Sequence, residues 1–342
     1  MAQREITEPL SVLDESGRPG NFGWARIPLF FYNPALIRAP HRRITESDRY
    51  LVFSHTHLMS FEISDSGYLG YVGISIFSLK DKKRSTQIFT VPFPLGSFKL
   101  SGGSETGSVR VQPKDALVDF IVMESGARII KVDVPKFGHH RNLRGALVLS
   151  PLPEAESMVT NMPWRREKSA FRYSRSSPWY ITEGVMQFGG SELVFTKDNA
   201  WGIFDWNRGV RPRGDTHYWA AACGLSGGLR IGFTVGYGSA DSGLGTENAF
   251  FLEGKLHKLD QVTFHIPSAN WLEPWRFTSS DKRLEMTFTP NQERFEGNRI
   301  FFYSLKRRQV CGFFSGTVVL DDGSELEFHN ITGFAERKKT RY

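Results

Sequence analysis

Alternation of apolar and polar residues is the feature that most constrains this chain. Leu229, Ile231, Phe233, Val235 and Tyr237 alternate with Arg230, Gly232, Thr234 and Gly236, and Leu284, Met286 and Phe288 alternate with Arg283, Glu285 and Thr287. A period of two puts every second side chain on one face of a strand. Val109 and Val111, the run Leu117 to Met123, the run Ile130 to Val134, and Val262, Phe264 and Ile266 repeat the pattern. Val318 and Leu320 lead into Asp321-Asp322-Gly323, and Leu326 and Phe328 lead out, which is hairpin chemistry. No segment holds the helical spacing i, i+3, i+4, i+7 beyond about two turns. The 33 glycines and 17 prolines interrupt any helix that starts. The expectation is an all-β protein with few short helices.

At 342 residues the chain is long enough for two domains. Many short strands call for closure, because closing a sheet removes its exposed edges. Two closed or nearly closed antiparallel β-barrels are therefore expected. The pattern lapses in Pro151 to Pro163, LPEAESMVTNMP within it, which places the domains at 1–160 and 161–342. No exact internal repeat is present.

Hydrophobic residues at 40%, charged residues at 23% and aromatics at 13% exclude disorder, collagen and coiled coil. The net charge of +7 is spread along the chain, with short clusters at Lys80 to Arg84, Lys306 to Arg308 and Arg337 to Arg341. Such clusters are read first as solvated turns or tail, so no nucleic-acid partner is expected, while weak peripheral membrane contact through the basic tail stays open. Cys223 and Cys311 form no CxxC pair, the N-terminal MAQREITEPL carries charges where a signal peptide needs apolar residues, and no run approaches about 18 apolar residues. A reduced, cytoplasmic setting is expected; the oligomeric state is not readable.

The densest functional-looking stretch is FDWNRGVRPRGDTHYWAAAC, 204 to 223. Asp205 there is a candidate acid, with Trp206, Arg208, Arg213, Tyr218 and Trp219 as candidate ligand contacts. The competing reading is an Asp205–Arg208 ion pair with Trp206 and Trp219 as core plugs, since buried charge is costly unless paired. A second group, Tyr237, Glu247 and Asn248 with Gly238, Asp241 and Thr246, supplies an aromatic ring and polar groups near a strand end, or simply a loop satisfied by its own backbone. His55 and His57 would share a strand face at metal-ligand spacing, with His139, His140, Asp119 or Glu62 as a third ligand. Spacing selects none of these, and no metal or other cofactor is expected. No GxSxG elbow occurs. Eight tryptophans suit either a large core or an apolar ligand cavity.

Seven ordered blocks resemble a bacterial family of unknown function numbered 2804: FGWARIPLFFYN (22–33), MPWRREKSAFRYS (162–174), DWNRGVRPRGDTHYWA (205–220), IGFTVGYG (231–238), TENAFFLEGKLHKL (246–259), PWRFTSSDKRLEMTFTP (274–290), and CGFFSGTVVLDDG through GFAE (311–336). The resemblance spans nearly the whole chain and implies no assigned reaction. More distantly, Gly184 to Gly209 resembles the start of the second domain in lipocalin-like proteins of the AttH and carotenoid hydratase group, which implies two calycin-type barrels. That group carries Asp-His where this chain has Asp205-Trp206, so Asp205 alone carries over. The function these readings converge on is binding of an apolar small molecule of lipid, isoprenoid or polyketide class in a barrel cavity. The alternatives are a hydratase, cyclase or isomerase with Asp205 as acid, and a peripheral membrane or nucleic-acid module. An adjacent arginine holds an aspartate ionised, so the enzyme reading requires Arg208 to point elsewhere.

Overall fold

A computed structural model describes residues 3–138, 141–164, 167–238 and 243–341. The chain begins with three short strands, β1 (Leu10–Ser11), β2 (Gly23–Ala25) and β3 (Phe30–Phe31). Two 3-10 turns, Pro34–Leu36 and His41–Arg43, lead into β4 (Ile44–Ser54), β5 (His57–Asp65), β6 (Leu69–Ser78) and β7 (Lys83–Pro92). Then come β8 (Val109–Val111), β9 (Leu117–Val122), β10 (Arg128–Phe137), β11 (Arg141–Pro151) and β12 (Met158–Pro163). Next are β13 (Phe171–Phe188), β14 (Ser191–Phe195), β15 (Ala200–Val210), β16 (Gly214–Ser226) and β17 (Leu229–Tyr237). The last seven are β18 (Ala249–Leu252), β19 (Lys255–Lys258), β20 (Val262–His265), β21 (Trp275–Ser279), β22 (Leu284–Ile300), β23 (Tyr303–Val319) and β24 (Glu325–Arg341). No α-helix occurs among the described residues, and the fold is all-β with two lipocalin-like antiparallel sheets.

The chain divides into two compact units. One comprises Pro40–Pro153 and Trp179–Arg208; the other comprises Met1–Ala39, Glu154–Pro178 and Gly209–Tyr342. Where a single cut near residue 160 was expected, the chain crosses between the units at Ala39/Pro40 and Pro153/Glu154 and then twice more. Both later crossings fall inside continuous strands, at Pro178/Trp179 in β13 and Arg208/Gly209 in β15. Each is a local break in backbone geometry, with φ of 69° at Trp179 and 150° at Gly209. A Cβ on Gly209 would sit 2.2 Å from the Phe171 carbonyl oxygen, so this bend needs glycine. A reading built on strand and turn signals sees one long strand at each place.

In the first unit the strand order β7-β6-β5-β4-β15-β13-β11-β10-β9-β8 curls round. Tyr50 of β4 meets Phe120 of β9 edge to face at 4.8 Å, although these strands are not neighbours in the sheet. That contact spans the interior.

In the second unit the order is β19-β18-β17-β16-β24-β23-β22-β21-β20. Its two edge strands, β19 and β20, are consecutive in sequence and are joined by residues 259–261, so this link draws the two ends of the curled sheet together. Alternation on these strands sends Phe233, Phe277, Phe288 and Phe314 inward. Phe314 lies 4.9 Å from Phe233, 5.7 Å from Phe277 and 4.3 Å from Phe288. Trp275, Phe250 and Phe328 complete an interior in which these side chains are essentially unexposed. The barrel is filled by its own aromatic residues. Outside it, Trp24 of β2 packs with Met158, Ala249, Phe251 and Leu256, which ties the N-terminal segment to β18 and β19.

A filled interior makes Phe314→Ala expensive. Loss of about 3–5 kcal/mol in urea unfolding is expected; a loss under about 1 kcal/mol would mean a loosely packed interior.

Candidate functional site

Alternation along β15 puts Phe204, Trp206 and Arg208 on one face and Asp205 and Asn207 on the other. Asp205, 8% exposed, receives two hydrogen bonds on Oδ2 from Arg49 of β4, from Nε at 3.1 Å and Nη2 at 2.9 Å. Asn207 donates to the other carboxylate oxygen at 3.3 Å. Arg208 does point elsewhere. It is 0% exposed, donates to Asp48 Oδ1 at 2.8 Å, to the carbonyls of Ser47 at 3.0 Å and Ser101 at 2.8 Å, and lies over the Trp206 ring at 4.3 Å. Arg49 thus occupies the place beside Asp205 that sequence adjacency gave to Arg208. Charge-assisted bonds of this kind favour the carboxylate, and a proton donor here would have to give them up. On the Phe204 face, Arg128 lies 3.9 Å over the Phe204 ring and donates to Tyr50 Oη at 3.2 Å and to the Ser104 carbonyl at 2.6 Å. Burial pushes the Tyr50 phenol up, so it stays neutral. This part of the first unit is a locked polar interior.

The second unit holds a different arrangement. Tyr218 and Tyr237 face each other across β16 and β17, their rings stacked at 4.6 Å and 5° from parallel. Phe264 meets both edge to face, at 6.5 Å and 5.2 Å. A cavity of about 210 Å³ opens here, lined by Gly236, Tyr237, Thr246, Asn248, Gln261, Val262 and Thr263. It sits where the closing link meets the strand ends, at the mouth of the filled barrel. Asn248 is fully buried and shapes it: Oδ1 accepts from the Gly236 N–H at 2.6 Å and Nδ2 donates to the Asp260 carbonyl at 2.7 Å. Lys258 donates to Thr246 Oγ1 at 2.7 Å and to the carbonyls of Asn248 at 3.0 Å and Leu259 at 2.6 Å. Burial pushes this ammonium down to about 7.

Glu247 lies against Gly236, on the side of the strand away from the tyrosines; a Cβ there would come within 2.4 Å of its Oε1. Its carboxylate accepts from Arg172 Nη2 at 2.7 Å and contacts His217 Nε2 at 2.5 Å. Burial by itself would raise this carboxyl, but Arg172 and His217 outweigh it and hold it down at about 2. An ionised carboxylate only accepts, so the short contact requires the proton on His217 Nε2. The 2.9 Å approach of Arg172 Nη1 to the same nitrogen is then a meeting of two donors that share one anion.

The predicted contact residues therefore separate. Tyr237 and Asn248 line the cavity, Tyr218 stacks on Tyr237, Glu247 lies on the other side of the strand, and Asp205, Trp206 and Arg208 belong to the other unit. Trp219 is 2% exposed and its indole N–H donates to Thr234 Oγ1 at 3.1 Å; Trp206 is 1% exposed. Arg213 is exposed, and its backbone N–H donates to Glu167 at 2.7 Å. His55 lies in the turn between β4 and β5, edge to face with Trp201, while His57 opens β5, so the two do not share a strand face. Among the described residues no group of three His, Cys, Asp or Glu is placed to hold a metal; His139, His140 and Asp241 lie outside the described residues. Arg49, Asp48 and Arg172 were missed because each acts on a partner distant in sequence, and Lys258 because its partners are a hydroxyl and backbone carbonyls that no sequence pattern marks.

A family model described as a domain of unknown function, DUF2804, matches residues 3–342. The chain belongs to the DUF2804 family. No curated protein matches its sequence. Among solved structures, CghA with Sch210972 aligns at a TM-score of 0.55 and 11% identity, covering 96% of both chains. A putative AttH from Nitrosomonas europaea aligns at 0.52 and 13% identity, covering 87% of this chain and 93% of that one. At these identities the likeness places the DUF2804 chain in the same lipocalin-like fold and assigns no residue a role. No helix among its described residues is long and apolar enough to cross a membrane.

The Glu247 cluster makes stability depend on acid. With a folded value of about 2 against an ordinary 4.5, the carboxylate contributes stability present above about pH 4.5 and lost as pH falls toward 2. Glu247→Gln should cost on the order of 3 kcal/mol at pH 7. The gap to the parent should close between pH 4.5 and 2 in urea titrations; a gap independent of pH would contradict the ion-pair account.

Proposed function

We propose that this protein binds a small molecule at the mouth of the second barrel, taking a ring or short apolar segment against Tyr237 and a polar group on Asn248, Thr246, Gln261 or Thr263. The observation that carries the reading is the cavity of about 210 Å³ with an aromatic wall and polar lining. Whole-ligand pockets run to roughly 300–1,000 Å³, so a lipid, isoprenoid or polyketide would be held here by one end. The filled interior leaves no room for enclosure deeper in that barrel. The shared fold of CghA, solved with Sch210972, supports a small-molecule role by analogy.

The test is native mass spectrometry of protein purified from its own host, followed by competition of the extracted compound against an environment-sensitive dye. Tyr237→Ala should weaken binding by up to about tenfold, the value of one aromatic contact, and Gln261→Leu should weaken it if the polar end sits there. Binding unchanged in both variants would place the ligand elsewhere.

A second reading, proton-transfer chemistry of hydratase, cyclase or isomerase type, draws on the His217–Glu247 contact beside Gly236. A histidine oriented by a carboxylate is the usual form of a general acid or base. Asp205, held by Arg49, is the less suited donor. On a confirmed substrate, His217→Gln is expected to abolish turnover while Asp205→Asn, if it folds, retains it. The reverse result would return the acid role to Asp205.

A further inference from the structure

Strands β22, β23 and β24 are each 17 residues long, and they run on past the barrel they help to close. Pairing register tells which side chains share a face beyond the mouth. Phe295 pairs with Arg308, Arg308 with Arg337, and Arg337 with Tyr218. One step out, Gly297 pairs with Lys306 and Lys306 with Lys339; a further step out, Arg299 pairs with Ser304 and Ser304 with Arg341. Directly paired residues point to the same side. The extension therefore presents six cations on one face, Arg299, Lys306, Arg308, Arg337, Lys339 and Arg341, with Glu293 as the acid among them, 2.7 Å from Arg308.

The opposite face of the same strands is buried, with Leu305, Arg307, Gln309 and Glu336 at 5% exposure or less. The extension is anchored on one side; on the other, Trp271 lies against Arg308 and Arg337, and the face is open beyond them at Arg299, Lys306 and Arg341. At its tip the turn between β22 and β23 carries Phe301 at 71% exposure and Phe302 at 83%, and Phe295 on the cationic face is 64% exposed. Apolar side chains this exposed have no folding benefit to offer where they stand. Phenylalanines at the end of a basic surface are what an anionic bilayer interface takes up: the rings enter the acyl boundary while the cations stay among the headgroups.

We propose that the β22–β23 tip and the cationic face behind it dock on an anionic lipid bilayer, with Phe301 and Phe302 inserted at the interface and Arg299, Lys306 and Arg341 against the headgroups. The site is independent of any ligand in the barrel mouth. Nucleic acid would use the same charges, but stacking on bases needs rings set along a groove rather than at the end of a hairpin.

The experiment is co-sedimentation of the full chain with vesicles of phosphatidylcholine alone or with about a third phosphatidylserine, at low and high salt. Binding to the anionic vesicles at low salt, weak binding to the neutral ones, and release by salt are expected. Phe301→Ser with Phe302→Ser should lower partitioning by at least about tenfold. Arg299→Gln with Lys306→Gln and Arg341→Gln should lower it on the order of a hundredfold. All five positions are exposed, so melting temperature should hold and separates lost docking from lost folding. No binding to the anionic vesicles, or binding that survives the double Phe replacement, overturns the proposal. So does tighter, Phe-independent binding to a single-stranded oligonucleotide, or self-association through the tip without vesicle binding.

Discussion

The closing link of the second barrel, residues 259–261, is the constraint on which the rest of that unit depends. It joins the two edge strands β19 and β20 and so holds the two ends of the curled sheet near each other. Holding it takes polar groups: Asn248 bonds both the Gly236 N–H and the Asp260 carbonyl, and Lys258 bonds three oxygens around Thr246 and Leu259. Each buried donor or acceptor left unmade there would cost about 1–3 kcal/mol. Closure in turn drives the aromatic side chains inward, where Phe314 touches three other rings. A cavity remains where packing ends, beside the link. Fold and candidate site thus have one origin.

The first unit uses buried charge differently. Arg49 with Asp205, and Arg208 with Asp48, are pairs at 11% side-chain exposure or less. Pairs of this kind contribute little net stability against an apolar replacement, yet removing one partner costs roughly 3–5 kcal/mol because the other is stranded. They fix which strand lies beside which, since β4 and β15 are 145 residues or more apart in sequence. The aspartate that the AttH-like resemblance points to is, in this chain, half of such a pair.

The strand pattern was legible because period-two alternation is a local property. The hairpin at Asp321 to Gly323 and the strand Leu229–Tyr237 stand where the residues put them. The crossings between units at Trp179 and Gly209 are bends within strands that keep their alternation, so no turn signal announces them. At the site, Tyr237 and Asn248 were within reach because a glycine-rich loop concentrates polar groups next to a strand end. Their neighbours were not. The Arg172–Glu247 and Arg49–Asp205 pairs join positions 75 and 156 residues apart, and only the fold brings them together.

The central claim is that the second barrel is full inside and open to a ligand at its mouth. Soaking crystals with a bromophenol and locating the bromine by anomalous scattering tests it directly. The account predicts a peak beside Tyr237 and Thr263, with none among Phe233, Phe288 and Phe314. A peak within that aromatic cluster, or no peak at the mouth at saturating compound, would contradict it.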